Sequence, residues 1–184
     1  MFRTSLLAPR KVFAENVRRG FPARSWAVPC RERRLAMGQS LKMLLVDDDQ
    51  ALTGLLESVI RRGLHRKVHL TTLCDSSAAT RWIDEHRPGL VLTDLEMPGI
   101  SGWEILRLAK QRNPLSQVVI FSGNFSRDAL VRASKLGADD YVLKSIDLTE
   151  VLCVLKQACE RIARWEESLL RTVSWRMVSK ARIA

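Results

Sequence analysis

From Lys42 onward the chain repeats one alternation: a short apolar run, then ten or more residues with apolar positions three and four apart. The short runs Met43–Val46, Val68–Thr72, Leu90–Thr93, Val118–Phe121 and Tyr141–Leu143 predict strands, Val68–Thr72 being the least apolar. Helical periodicity fills the gaps between them, with punctuation at the ends. The first helix runs from Gln50 to Arg62 and is ended by Gly63; the second is capped by Asp75 or Ser76 and stops before Pro88. Ser101 caps a third that is halted by Asn113-Pro114, and Ser126 caps a fourth that stops at Gly137. A fifth, longer helix begins near Leu148. Strands alternating with helices predict an α/β protein: a parallel sheet with helices on both faces.

The first forty residues break this rhythm. They lack sustained amphipathic periodicity, contain Pro9, Gly20, Pro22 and Pro29, and hold nine Arg/Lys against Glu15 and Glu32. Most of the chain's formal charge of +10 therefore belongs to this leader, and the remainder is close to balance. The leader reads as disordered, as a passive extension or a start assigned too far upstream, with Met37 and Met43 as later starts. A transit peptide or a nucleic-acid arm are the alternatives. No apolar run approaches the roughly 20 residues that span a bilayer. The four cysteines (Cys30, Cys74, Cys153, Cys159) form no CxxC pair, which fits a reducing, cytoplasmic setting. The expected divisions are 1–40, an N-terminal extension; 41–162, the globular domain; and 163–184, the continuation of the last helix.

Polar residues stand at the C-terminal ends of the strands: Asp47 and Asp48 after the first, Asp94 after the third, Ser122 after the fourth and Lys144 after the fifth. In an open parallel sheet these ends share one edge, where such folds carry their chemistry. Three carboxylates brought within a few ångströms repel one another by several kcal/mol at an effective dielectric of about 20. A hard divalent cation relieves that repulsion, and an all-oxygen, water-retaining site suits Mg²⁺. Asp49 reads as a helix cap with no place in the site.

Taken together, Val46-Asp-Asp-Asp49, Asp94 with Met97-Pro-Gly99 and Gly102, Phe121-Ser-Gly123, and Gly137-Ala-Asp-Asp-Tyr-Val-Leu-Lys144 resemble the receiver domain of two-component response regulators. The resemblance covers residues 41 to about 162. It implies a flavodoxin-like, doubly wound (βα)5 fold with strand order 2-1-3-4-5. It also implies a phosphoryl group taken from the histidine of a sensor kinase or phosphotransfer protein. Asp94 would be the phosphoacceptor. Asp48 would bind Mg²⁺ directly, Asp47 through water, and the Glu96 backbone carbonyl would add a ligand. Lys144 would contact the phosphoryl oxygens, and Ser122 would swing its hydroxyl towards them, coupled to the rotamer of Tyr141. Glu96 and Asn124 would tune how fast water attacks the acyl phosphate. The chain departs from the family at Ser145, where proline is usual; a cis bond before serine costs about 3–4 kcal/mol, so a trans bond or visible strain is expected.

In the last helix Val151, Leu155, Ala158, Ile162, Trp165 and Leu169 recur at four- and three-residue steps, a heptad-like stripe. Its first half must cover the sheet; Trp165 and Leu169 are expected to be exposed unless a second copy or a fold-back covers them. The expectation is a stand-alone cytoplasmic receiver that acts on a downstream protein, performs no catalysis beyond its own phosphorylation and dephosphorylation, and dimerises through this helix. A nucleic-acid-binding regulator using the leader and the front part of a longer regulator are the alternatives. A haloacid-dehalogenase-like phosphohydrolase is the third: Asp47-Asp-Asp49 offers its acids, but Ala51 stands where a threonine is needed.

Overall fold

The computed structural model describes residues 40–64, 68–144 and 147–181, with side chains described as far as residue 172. The expectations for the leader and for the Lys144–Ser145 bond lie outside the described residues. Five strands form one sheet: β1 (Leu41–Val46), β2 (Val68–Leu73), β3 (Leu90–Thr93), β4 (Gln117–Ser122) and β5 (Asp140–Leu143). All neighbouring pairs are parallel, in the order β2-β1-β3-β4-β5. The helices are α1 (Gln50–Gly63), α2 (Ser76–His86), α3 (Gly102–Arg112), α4 (Arg127–Leu136) and α5 (Leu148–Ala181).

The pleat sorts the core into two halves. Met43, Leu45, Leu90, Leu92, Val119, Phe121 and Val142 point to one face, where Leu56 and Ile60 of α1 meet Val151, Leu155, Ala158 and Ile162 of α5. Leu44, Val46, Val91, Val118 and Ile120 point to the other, covered by Ala79 and Ile83 of α2, Ile105, Leu106 and Ala109 of α3, and Ala133 of α4. Central strands β3 and β4 are buried throughout, which explains their unbroken apolar sequence; the edge strands β2 and β5 are only partly buried. Ala133 is the single fully buried residue of α4, which therefore rests lightly on the sheet.

Helix starts follow the expected chemistry. Asp49 accepts from the backbone N–H groups of Ala51 and Leu52, and Asp75, rather than Ser76, caps α2 by accepting from Ser77. The Glu104 carboxylate reaches back to the Ser101 N–H at 3.0 Å, and Ser126 accepts from Ala129. Gly137 ends α4 in the left-handed conformation at φ 87°. Gly63 corrects the sequence reading: it is the last residue of α1, and Leu64 takes the cap position. Its lack of a side chain serves packing instead, since a Cβ there would run into the Leu152 side chain of α5.

Candidate functional site

Register brings the acids together. Val46 of β1 pairs with Thr93 of β3, so Asp47 and Asp94 leave adjacent strands at the same level, and the Asp94 N–H donates to the Val46 carbonyl at 2.9 Å. Thr93 in turn pairs with Ile120 of β4, and Ser122 with Leu143 of β5, which carries Lys144 to the same edge. The Lys144 N–H donates to the Ser122 carbonyl at 2.9 Å, continuing the ladder one residue past the strand.

Carboxylate oxygens of Asp47, Asp48 and Asp94 lie within 4.8 Å of one another, with Asp47 and Asp94 buried and Asp48 exposed. Lys144 Nζ stands between the two buried acids, 2.8 Å from Asp47 Oδ2 and 2.9 Å from Asp94 Oδ2. The Lys144–Asp94 contact is a formed hydrogen bond; Asp47 Oδ2 faces the ammonium charge but has no hydrogen-bond partner. The opposite oxygens are held by backbone: Asp47 Oδ1 accepts from Asp49 N–H at 3.1 Å, and Asp94 Oδ1 from Leu95 N–H at 2.6 Å. Each acid thus has one oxygen anchored and the other turned to the shared space.

Electrostatics follow from burial. Loss of solvent pushes the Asp47 carboxyl above its ordinary pKa, an effect the Lys144 ammonium and the Asp49 N–H offset only in part. At Lys144 burial pulls downward, but the bond to Asp94 and the charges of Asp47 and Asp94 together outweigh it and hold the ammonium above its usual range. The lysine is a fixed positive charge at any physiological pH. The donor set is all oxygen, and one of its buried oxygens lacks a hydrogen bond, so these residues fit a hard divalent cation such as Mg²⁺.

The remaining residues singled out from sequence surround this cluster through Asn124. Ser122 is fully buried and its Oγ accepts from the Asn124 N–H at 3.2 Å. Tyr141, half-buried on β5, donates its hydroxyl proton to the Asn124 carbonyl at 2.6 Å. Asn124 Nδ2 donates to Glu96 Oε1 at 3.4 Å. One loop residue therefore touches the hydroxyl at the strand end, the aromatic and the exposed acid.

Gly102, quoted from sequence as part of a motif, acquires a physical reason. A Cβ there would overlap the Asp94 carbonyl oxygen, so α3 can start against the acid's own backbone only with glycine. Ser76 was missed as more than a cap candidate: it is buried, and its Oγ donates to the Pro98 carbonyl at 2.8 Å and accepts from the Ile100 N–H at 3.0 Å. A serine at a helix start reads as a cap, and nothing local in the sequence says that it faces a loop more than twenty residues away.

Comparison with known proteins gives a consistent result. A family model described as "Response regulator receiver domain" matches residues 43–156. A "Putative response regulator NtrX-like" protein of Rickettsia felis is 32% identical over 123 residues, covering 65% of this chain and 25% of that protein. The "DNA-binding transcriptional regulator NtrC" of Escherichia coli is 30% identical over 114 residues, covering 62% of this chain and 24% of that protein. The chain thus spans about a quarter of the length of these curated relatives. Among solved structures, the signal receiver domain of a putative Luxo repressor protein from Vibrio parahaemolyticus superposes with a TM-score of 0.64 at 23% identity, covering 71% of this chain and 98% of that one. A CheY-like receiver domain protein from Methanospirillum hungatei gives a TM-score of 0.60 at 21% identity, covering 67% and 97%. At these identities the structures speak for the fold alone.

Proposed function

The chain belongs to the response regulator receiver family, and on that premise we propose that it is a Mg²⁺-dependent phosphoacceptor whose nucleophile is Asp94. The observation that carries this reading is the Lys144 ammonium standing between the buried carboxylates of Asp47 and Asp94, with Asp48 beside them. An Asp94 oxygen attacks the phosphorus of a phosphohistidine on a sensor kinase or phosphotransfer protein. The new acyl phosphate bond forms as the donor's P–N bond breaks, and the imidazole nitrogen takes up a proton. Little covalent help is needed for such a transfer; positioning and charge neutralisation dominate.

Asp47, Asp48, Asp94 and the Glu96 carbonyl would hold the cation, which when bound would supply positive charge to the phosphoryl oxygens. Lys144 supplies a second positive charge beside Asp94. The Leu95 N–H fixes one Asp94 oxygen, so the other is the one oriented for attack. Ser122 turns its hydroxyl from Asn124 to the phosphoryl group, and the freed loop shifts the partner of Tyr141. That change biases a surface of β4, α4, β5 and α5 between two states, and a downstream protein reads it. Light anchoring of α4 by Ala133 supports the same surface as the moving part. The protein performs no turnover beyond its own phosphorylation and dephosphorylation, and it works in the cytoplasm. Among the described residues no helix is long and apolar enough to cross a membrane.

Incubation with labelled acetyl phosphate tests this directly. Label is expected in the wild type with Mg²⁺, none after chelation, and none in Asp94→Asn. A wild type that takes no label from acetyl phosphate or from any histidine kinase overturns the proposal.

A further inference from the structure

The segment between Asp94 and α3 carries the carbonyl assigned above to the cation, yet part of it is open to solvent: Glu96, Pro98 and Gly99 are all exposed. Its ends are secured locally, by the Asp94 side chain and by backbone. The Leu95 N–H donates to Asp94 Oδ1, and the Gly102 N–H donates to the Leu95 carbonyl at 3.1 Å. Its middle is secured from elsewhere. Gly99 turns the chain at φ 82°, and on either side of it one hydroxyl, Ser76 Oγ, takes the Pro98 carbonyl and the Ile100 N–H.

The chemistry of that contact is specific to a hydroxyl. Donating to the Pro98 carbonyl and accepting from the Ile100 N–H requires one proton and one lone pair on a single atom. Alanine offers neither, and an ammonium or an ionised carboxylate offers only one role. Ser76 is 3% exposed, so little water can replace it. Its own placement is firm: it opens α2 directly after the Asp75 cap, three residues before Ala79, which is fully buried in the core. Flanking the turn, Met97 and Ile100 pack against that same half of the core. The path of the segment thus depends on a rigid helix start, reached across 22 residues of sequence.

We propose that Ser76 is a positioning residue for the acidic pocket: by tying Pro98 to Ile100 across Gly99 it sets the path of the segment bearing Glu96 and so the pocket's affinity for Mg²⁺. This rests on the phosphoacceptor reading. Groups outside the ligand shell that orient ligands are commonly worth a factor of about 10 in metal affinity, and that is the size expected here.

The test is calorimetric titration of the full chain with Mg²⁺, beside acetyl phosphate labelling as a function of Mg²⁺ concentration and thermal unfolding. Ser76→Ala is expected to weaken Mg²⁺ binding about 10-fold and to shift half-maximal labelling to correspondingly higher Mg²⁺. Saturating Mg²⁺ should restore the labelling rate to near that of the wild type, and Ser76→Thr, which keeps the hydroxyl, should stay within a factor of about three. A purely structural serine would lower the unfolding temperature and leave the Mg²⁺ constant unchanged; that result overturns the inference. Should Ser76→Ala not fold, the comparison falls to Gly99→Ala, which strains the same turn without removing the hydroxyl: weakened Mg²⁺ binding supports the inference and an unchanged constant overturns it. A wild type that neither binds Mg²⁺ nor takes label fails the phosphoacceptor reading itself, an outcome distinct from both.

Discussion

At the scale of single residues the site is built from contradictions that cancel only as a group. Asp47 is buried where its charge is costly, and Lys144 is partly buried where its charge is costly too. Each makes the other tolerable, and Asp94 shares the same ammonium. Removing the lysine therefore does two things: it deletes the positive charge that would meet a phosphoryl oxygen, and it leaves two buried acids with no positive charge between them. Lys144→Ala is expected to fold in the presence of Mg²⁺ but to accept label from acetyl phosphate roughly 100-fold more slowly, as single charge-stabilising groups in such sites commonly do. A rate within a factor of about three of the wild type would mean that the lysine is a structural ion pair. These three side chains could be picked from sequence because each follows a strand. The link through Asn124 could not: it uses backbone groups of one residue to join Ser122 to Tyr141, and backbone partners leave no mark on residue identity.

At the scale of elements, sequence and structure agree wherever the signal is a period or a cap, and part where it depends on a neighbour. The runs in β3 and β4 were unmistakable because both faces of those strands are covered. β2 was faint for the opposite reason: it lies at the sheet edge, and its Thr71 and Thr72 are only half-buried. Strands β1 and β4 begin or end a residue or two beyond their apolar runs, since pairing continues where hydrophobicity has stopped. Gly63 looked like a helix terminator, yet its reason is the Leu152 side chain of α5, far off in sequence. Similarly, Glu57 of α1 accepts from Thr72 of β2 at 3.0 Å and from Arg61 at 2.8 Å, tying helix to edge strand. Those bonds, Arg61 first, hold its carboxyl below the ordinary range. A carboxyl depressed in the fold adds stability above its unfolded pKa and loses it as pH falls through the folded value. Glu57→Gln is therefore expected to lower stability at neutral pH by less than about 1 kcal/mol, because the pair is solvent-exposed, with the difference vanishing in acid. Denaturant titration at the two pH values checks this; a difference that persists in acid would contradict it.

Across the whole molecule, α5 is the element that changes character along its length. Val151, Leu155, Ala158 and Ile162 are buried against the sheet, whereas Trp165, Leu169 and Leu170 are exposed further on. The heptad-like step continues through both halves, so the stripe that closes the core passes without a break into an uncovered one. A second copy pairing along this stretch would bury it. Sedimentation of the full chain is expected to show a concentration-dependent dimer that Trp165→Glu abolishes. A monomer at all concentrations would assign the exposed face to something other than self-pairing. The division into a receiver spanning residues 41–162 and a helical continuation beyond it is a proposal of the same kind.

The proposed function turns on one covalent event, and locating that event is the most direct measurement. After reaction with acetyl phosphate the intact protein should gain the mass of one phosphoryl group, only with Mg²⁺ present. Hydroxylamine, which cleaves acyl phosphates, should remove it, and peptide mapping should find it on Asp94. An adduct on a different residue, or one that forms equally well in Asp94→Asn or without Mg²⁺, would contradict the assignment of this pocket.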